Sequence, residues 1–577
     1  MSNEQLEELP VPDDSQNKPI CTFSNMTDPR MLCKNQLDYS VYKGATNVTA
    51  YSEKASSASA SGLNFNVNVP TMSTIVDRVI YLRAGLNFKV TGGALSGGKK
   101  ILEDGQPTLA PFPFQSMCSS IQMTVNNQSF SWSPNETMGM ITRMLDDDVL
   151  RKYGSLCPTQ LDKYQKYIDI DDADVVNNPF AFYNTYNGEN PSRRAFLNYT
   201  AAVDGTTAAT FSVNIVEPIV ISPLLLQSCE GQNSQGMYGI NNLKFLFQLK
   251  NGPVRGVRFK TTDGATPSVP WVVTLDSIDT EAYLDFQFLS PPASVSKNLS
   301  PRNLVPYMDL NLQKTLYGSS IAIGGDATIT TQSFQLSVIP DKVFICVRKR
   351  PDSCTSNDAD FALPIKNVQI NFANRNGILS GVQPHQLCQM SIESGVNTNW
   401  LEFRGKASKT ATSDVATCGS YLCLEFAKHL NITEDYYSAG SLGQFQFYMN
   451  LTVNNHTGAL INADTYEVAL LFMNSGFLVN ELGSSSVVVG VLTKDQVLTT
   501  SNEPPVNWDN NRMIGGAWYS GLKSAWRKTK KYIKPIARAT KIATGLIPHP
   551  YAQMTSKALG AMGAGYSAGS SLRDRLM

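Results

Sequence analysis

The run Ser120-Ile-Gln-Met-Thr-Val-Asn-Asn127 has a counterpart further along the chain, Asn367-Val-Gln-Ile-Asn-Phe-Ala-Asn374. In both, apolar and polar residues alternate, which is the period of a strand with one buried face. The first of them runs into an Asn-Asn turn. A pair of similar segments stands on each side, in the same order. Ile75-Val-Asp-Arg-Val-Ile-Tyr-Leu82 parallels Val338-Ile-Pro-Asp-Lys-Val-Phe-Ile345, and Leu243-Lys-Phe-Leu-Phe-Gln-Leu249 parallels Phe445-Gln-Phe-Tyr-Met-Asn-Leu451. The offset between partners shrinks along the chain, as it would for a duplicated β-domain whose first copy carries the longer loops. Each match is weak alone, because strands resemble strands. Three in order predict a duplication.

Working outward, residues 61–500 are rich in Val, Ile, Phe, Tyr and Thr in short alternating runs between Gly, Pro and Asn turns, and Leu63-Asn-Phe-Asn-Val-Asn-Val69 is typical. An all-β chain of this length predicts two sandwiches, over 61–292 and 293–500. Residues 1–60 are polar and are expected as an extended arm. Residues 501–577 change character: a linker begins at Ser501-Asn-Glu-Pro-Pro505, and a short helical basic tail follows. The best helical pattern in the body is Pro134 to Arg151, with Ser133 as cap and Glu136 completing a capping box.

Hydrophobic residues make up 42% of the 577 and charged residues only 17%, a composition that buries cores and is not that of a disordered chain. Lys plus Arg and Asp plus Glu are both 48, so net charge points to no partner. A nearly neutral, sparsely charged chain suits packing against copies of itself. No apolar run reaches the length of a membrane-spanning helix. Met1 to Asp14 is acidic and polar, so no signal peptide is expected. The ten cysteines form no C-x-x-C pair and are expected mostly as small buried hydrophobes.

No G-x-S-x-G, Walker loop or H-E-x-x-H occurs, and four histidines are few for acid–base work. No catalytic residue, cofactor or metal site is nominated, and the chain is not expected to be an enzyme. Asp169, Asp171, Asp172 and Asp174 lack the glycine and distal Glu of a calcium loop and are expected as a solvated loop. Asp146, Asp147 and Asp148 are expected on the surface or in an inter-subunit ion pair. His385 with Cys388, and His429 behind Cys418 and Cys423, fall short of the four ligands of structural zinc.

Several stretches together resemble the major capsid proteins of virophages and polinton-like viruses. They are Thr74-Ile-Val-Asp-Arg-Val-Ile-Tyr-Leu82, Phe112-Pro-Phe-Gln-Ser-Met-Cys118 with the strand after it, and Gly377-Ile-Leu-Ser-Gly381 with Trp400-Leu-Glu-Phe-Arg-Gly405. Gly490-Val-Leu-Thr-Lys-Asp-Gln-Val-Leu498 and Ile547-Pro-His-Pro-Tyr-Ala-Gln553 complete the set. The resemblance implies a double jelly roll in each chain. It implies homotrimeric, pseudo-hexagonal capsomers that tile an icosahedral virion shell around double-stranded DNA, assembled inside a host cell. Neighbouring capsomers, penton and minor capsid proteins would be its partners. Two other readings stay open: a minor capsid or penton protein, and a carbohydrate-binding or carbohydrate-active β-sandwich with Phe180-Ala-Phe-Tyr-Asn-Thr-Tyr186 as its sugar platform.

Met513-Ile514-Gly515-Gly516-Ala517 fits the resemblance further. Adenovirus-type maturation cysteine proteases take a hydrophobic residue, any residue, then Gly-Gly, so cleavage is expected between Gly516 and Ala517. The alternative is a flexible hinge. Beyond it, Lys523, Arg527, Lys528, Lys530, Lys531, Lys534, Arg538 and Lys541 interleave with Trp518, Leu522, Trp526, Ile533 and Ile536 at helical spacing, interrupted by Pro535. Such a segment suits packaged DNA or a membrane surface, or is an ordinary solvated helix.

Overall fold

The alternation at Ser120–Asn127 is realised as the strand Cys118–Val125, which turns Ile121, Met123 and Val125 inward. Its neighbour Asn242–Leu249 carries Phe247, Phe245 and Leu243 directly opposite them, and Gly62–Asn68 adds Leu63, Phe65 and Val67 on the far side. Three buried rows therefore cross three strands, which fixes the register: a slip of one residue would turn every apolar side chain outward. The computed structural model describes residues 48–489 apart from 95–97, 105–106, 146, 166–191, 225–235, 260–270, 292–298, 300, 374, 409–413, 431–438 and 457–465; it also describes the two-residue strands Thr22–Phe23 and Leu32–Cys33.

The first half holds two principal sheets. One has the order Gln128–Trp132, Cys118–Val125, Asn242–Leu249, Gly62–Asn68, Ser57–Ser59. The other runs Ala202–Asp204, Ala208–Pro218, Tyr81–Thr91, Tyr283–Leu289, Val48–Lys54, with Val272–Ile278 also paired to Tyr81–Thr91. Their inner faces share one core, in which Phe88, Phe211 and Phe286 meet Phe65 and Phe245. Val48–Lys54 and Ser57–Ser59 come from the stretch read as an arm and extend the two sheets.

The second half repeats the plan. Arg302–Tyr317, Tyr466–Glu481, Lys342–Lys349 and Leu422–Glu425 form one sheet, and Asp326–Thr330, Leu442–Asn454, Ile365–Phe372 and Arg375–Ile378 the other. Among the described residues, no sheet mixes strands from before Leu289 with strands from after Arg302. The matched segments fall on equivalent strands. Tyr81–Thr91 lies between Ala208–Pro218 and Tyr283–Leu289; Lys342–Lys349 lies between Leu422–Glu425 and Tyr466–Glu481. Cys118–Val125 lies between a hairpin partner and Asn242–Leu249; Ile365–Phe372 lies between a hairpin partner and Leu442–Asn454. Even the turns agree: Asn126 and Ala373 stand at the same place with φ of 53° and 52°. Asn tolerates that left-handed conformation; Ala holds it at a cost of about 1 kcal/mol. The chain is a tandem double jelly roll.

The helix expected over Pro134–Arg151 is interrupted. It runs Pro134–Ile141, tightens through Thr142–Met144, and a separate helix spans Asp147–Tyr153. Leu145 between them is extended, at φ −74° and ψ 135°. The capping box does not form. Ser133 makes no side-chain cap, and its carbonyl accepts from the Thr137 hydroxyl. The Glu136 carboxylate is drawn instead to Lys314 Nζ in the second half, 2.7 Å away. Asp147 and Asp148 open the next helix, exposed; Asp147 accepts from Asn397 and Asp148 pairs with Arg151. Cys118, Cys157, Cys346, Cys388, Cys418 and Cys423 are free and buried, and Cys354 is free and partly buried.

Candidate assembly site at the seam between the rolls

Tyr466–Glu481 begins with eight consecutive buried residues. Alternation fails there because both faces are covered. Val468, Leu470 and Phe472 point into the second roll's core, while Ala469, Leu471 and Met473 belong to the core of the first. Lys342–Lys349 does the same, with Val343, Ile345 and Val347 on one side and Phe344 and Cys346 on the other. A sheet buried on both faces reads as a near-continuous apolar run, and Val343-Phe-Ile-Cys-Val347 and Val468-Ala-Leu-Leu-Phe-Met473 are such runs. The first roll thus packs on the outside of the second roll's sheet. The far end of that sheet continues the seam: Tyr307, Met308, Leu310, Leu312 and Val487 lie against the first core.

Charges close the rest of the seam. Asp162, buried, receives Arg193 at 2.6 Å on one carboxylate oxygen and Arg258 at 3.0 Å on the other, where the Asp360 N–H also donates at 2.8 Å. Arg258 spans onward to Asp360 at 3.0 Å, and Arg255 reaches the same carboxylate at 3.4 Å. Arg258 also donates to the Asp358 carbonyl, while the Asp358 carboxylate takes Lys349 at 3.2 Å. Asp162, Arg193, Arg255 and Arg258 come from the first half, and Lys349, Asp358 and Asp360 from the second. Burial disfavours the charged form of Asp162, but Arg193 and Arg258 outweigh it and hold the carboxyl below the usual range. The same contest, won by Arg258 and Arg255, holds Asp360 far down. Such pairs specify geometry rather than add net stability, since taking the ions out of water costs about what their attraction returns.

Beside this network, Arg143 donates to the Asp162 carbonyl at 2.7 Å, lies 4.2 Å over the Tyr421 ring and stands 3.8 Å from Glu402, which also takes Lys163 at 2.9 Å. The backbone joins in: Cys418 N–H donates to Lys163 O, Gln165 N–H to Ala416 O, and Asn397 N–H to Arg143 O. At the other end of the seam, Asn126 donates to the Ser485 hydroxyl at 2.8 Å and Asn127 accepts the Ser485 N–H at 2.7 Å. These contacts join the two rolls within one compact unit.

Sequence reasoning nominated none of these seam residues. A charged residue in a strand, such as Arg258 in Val257–Phe259, reads as an outward position, and only the fold shows what covers it. The continuous apolar runs were the available signal. Gly516, Ala517, Met513, Ile514 and Gly515, the eight basic tail residues, Asp169 to Asp174 and Phe180 to Tyr186 all lie outside the described residues. His385 and Cys388 share the helix Pro384–Glu393, and His429 Nδ1 accepts the Glu425 N–H. Among the described residues, no group of three or more His, Cys, Asp or Glu side chains is placed to hold a metal.

Comparison with known proteins places this architecture. Residues 23–289 match the family model of the Sputnik virophage major capsid protein first domain, and residues 312–476 that of the major capsid protein V20 C-terminal domain. The chain is 26% identical over 565 residues to the putative capsid protein V20 of Sputnik virophage, covering 94% of this chain and 93% of that one. The cryo-EM structure of the Sputnik virophage superposes with a TM-score of 0.71 at 23% identity, over 84% of this chain and 96% of that chain. The crystal structure of the mavirus major capsid protein does so at 0.64 and 14%, over 79% and 92%. With both domain models matched in order and nearly full-length similarity to V20, the chain belongs to the virophage major capsid protein family.

Proposed function

We propose that this chain is the tile of an icosahedral virion shell: three copies close into a pseudo-hexagonal capsomer, and capsomers meet one another, pentons and minor capsid proteins around double-stranded DNA. The observation that carries this reading is the seam. Two topologically equivalent rolls held in one fixed relation give each chain two near-equal lobes, so threefold symmetry of the chain becomes sixfold symmetry of the outline. Residues 61–292 and 293–500 are the two lobes in this reading. The proteins it resembles are capsid proteins, so in this reading the chain acts by assembly.

The tail completes the proposal. A maturation cysteine protease cuts between Gly516 and Ala517, and the fragment carrying Lys523 to Lys541 binds packaged DNA by counterion release or lies on a membrane surface. Native mass spectrometry of the purified protein tests the trimer, and a monomer or pentamer as the main species would overturn it. Intact-mass measurement of mature particles tests the cut. Full-length chain throughout would leave Gly515-Gly516 as a hinge.

A further inference from the structure

We infer that the seam contains a binding site for one tetrahedral oxyanion of the phosphate or sulfate class, between the N-terminus of helix Pro134–Ile141 and the side chains of Arg255 and Arg258. Two adjoining cavities, of about 40 and 50 Å³, open there. Asn135, Gly139, Arg255, Pro351 and Asp360 line both, and Arg258 lines the first. A water needs roughly 10–15 Å³ measured this way, so each cavity takes a few waters or one small oxyanion.

Two independent features point to an anion. The helix is eight residues long and its first turn has no side-chain cap, because Ser133 does not provide one. Pro134 has no N–H and the Glu136 N–H donates to the Ser133 carbonyl, so this end offers a ligand the Asn135 N–H and the positive end of the helix dipole. Arg258 is 4% exposed, yet its Nε has no partner among the described residues, and the buried Nε of Arg255 has none either. An unanswered buried donor is destabilising, and both side chains border the same space. Asp360 does stand on the cavity wall, but its carboxylate is shared by two guanidiniums. Lys250 at the rim is matched by Asp352. A bound oxyanion would bridge a helix of the first roll to the Pro351–Asp360 segment of the second and so tighten the seam.

Thermal unfolding of the full chain in sodium phosphate against sodium chloride, at pH 7 and constant ionic strength, tests the site. The wild type is expected to gain Tm saturably with phosphate. Arg255→Gln is expected to need at least fivefold more phosphate for half of the gain. Ser133→Asp places a carboxylate of the protein's own at the helix end. That variant is expected to start from a higher Tm in chloride and to lose most of the phosphate response, and it carries the test if Arg255→Gln fails to fold. Equal gains in all three proteins would mean a general salt effect or an adventitious ion only, and would overturn the inference. So would a wild type that does not respond.

Discussion

Replacing Asp162 with Ala removes the one carboxylate that Arg193 and Arg258 share, 2.6 and 3.0 Å away, and the acceptor of the Asp360 N–H. Arg193 and Arg258 stay where they are, 0% and 4% exposed, with too few partners. Removing one partner of a buried ion pair costs roughly 3–5 kcal/mol. At about 2–4 °C per kcal/mol for domains of this size, the expected fall in Tm is about 6–20 °C. Calorimetry or denaturant unfolding of the purified variant measures it. The double variant Asp162→Ala with Arg258→Met removes charge of both signs and is expected to recover part of the loss, a coupling that two independent sites would not show. Lys54→Ala serves as control, because its pair with Glu281 is solvent-exposed and contributes little to stability. If Asp162→Ala costs no more than Lys54→Ala, or if the double variant is simply additive, the seam is not held as described.

Other outcomes follow from single groups. Burial pushes the Glu217 carboxyl up to about 7, against the N–H groups of Phe114 and Gln115 that favour its charge. An acid with a raised pKa is bound more tightly to its proton in the folded state, so this group's contribution is greatest at low pH and declines as pH rises from about 4.5 to about 7. Glu217→Gln is therefore expected to flatten the stability–pH profile across that window, and an unchanged slope in denaturant melts would contradict the assignment. Asp162, Asp358 and Asp360 have the opposite sign. Their contribution is complete above the unfolded carboxylate pKa of about 4 and lost only below it, so the purified protein should keep the seam at pH 5 and lose it in stronger acid, as read by circular dichroism. Gly419 sits at φ +82°, and a Cβ there would lie 1.7 Å from the Ala362 carbonyl oxygen. Gly419→Ala is expected to cost more than the roughly 1–2 kcal/mol of the left-handed backbone alone, and recovery of wild-type soluble yield and Tm would refute it. Leu471→Ala opens the seam face of a strand buried on both sides and is expected to cost about 2–5 kcal/mol.

The duplication was legible in the sequence because period-two alternation is local and survives divergence. Residues 120–127 and 367–374 keep it, and both fold as hairpin strands turning at Asn126 and Ala373. The helix boundary was misread because Pro134–Arg151 has helical periodicity throughout, yet the chain extends at Leu145, and Glu136 finds Lys314 rather than the helix end. The seam was not legible as a site. Asp162, Arg193, Arg258 and Asp360 are far apart in the chain, and nothing local distinguishes a buried arginine from a solvated one. What the sequence did offer was loss of alternation in Val468–Met473, which marks a strand covered on both faces.

The account rests on two welded rolls acting as one tile, and electron microscopy of the purified protein addresses that most directly. Class averages are predicted to show six-lobed particles of threefold symmetry, with two jelly rolls per chain in fixed contact. Five-lobed rings, isolated monomers, or chains whose two rolls vary in relative orientation from particle to particle would contradict it.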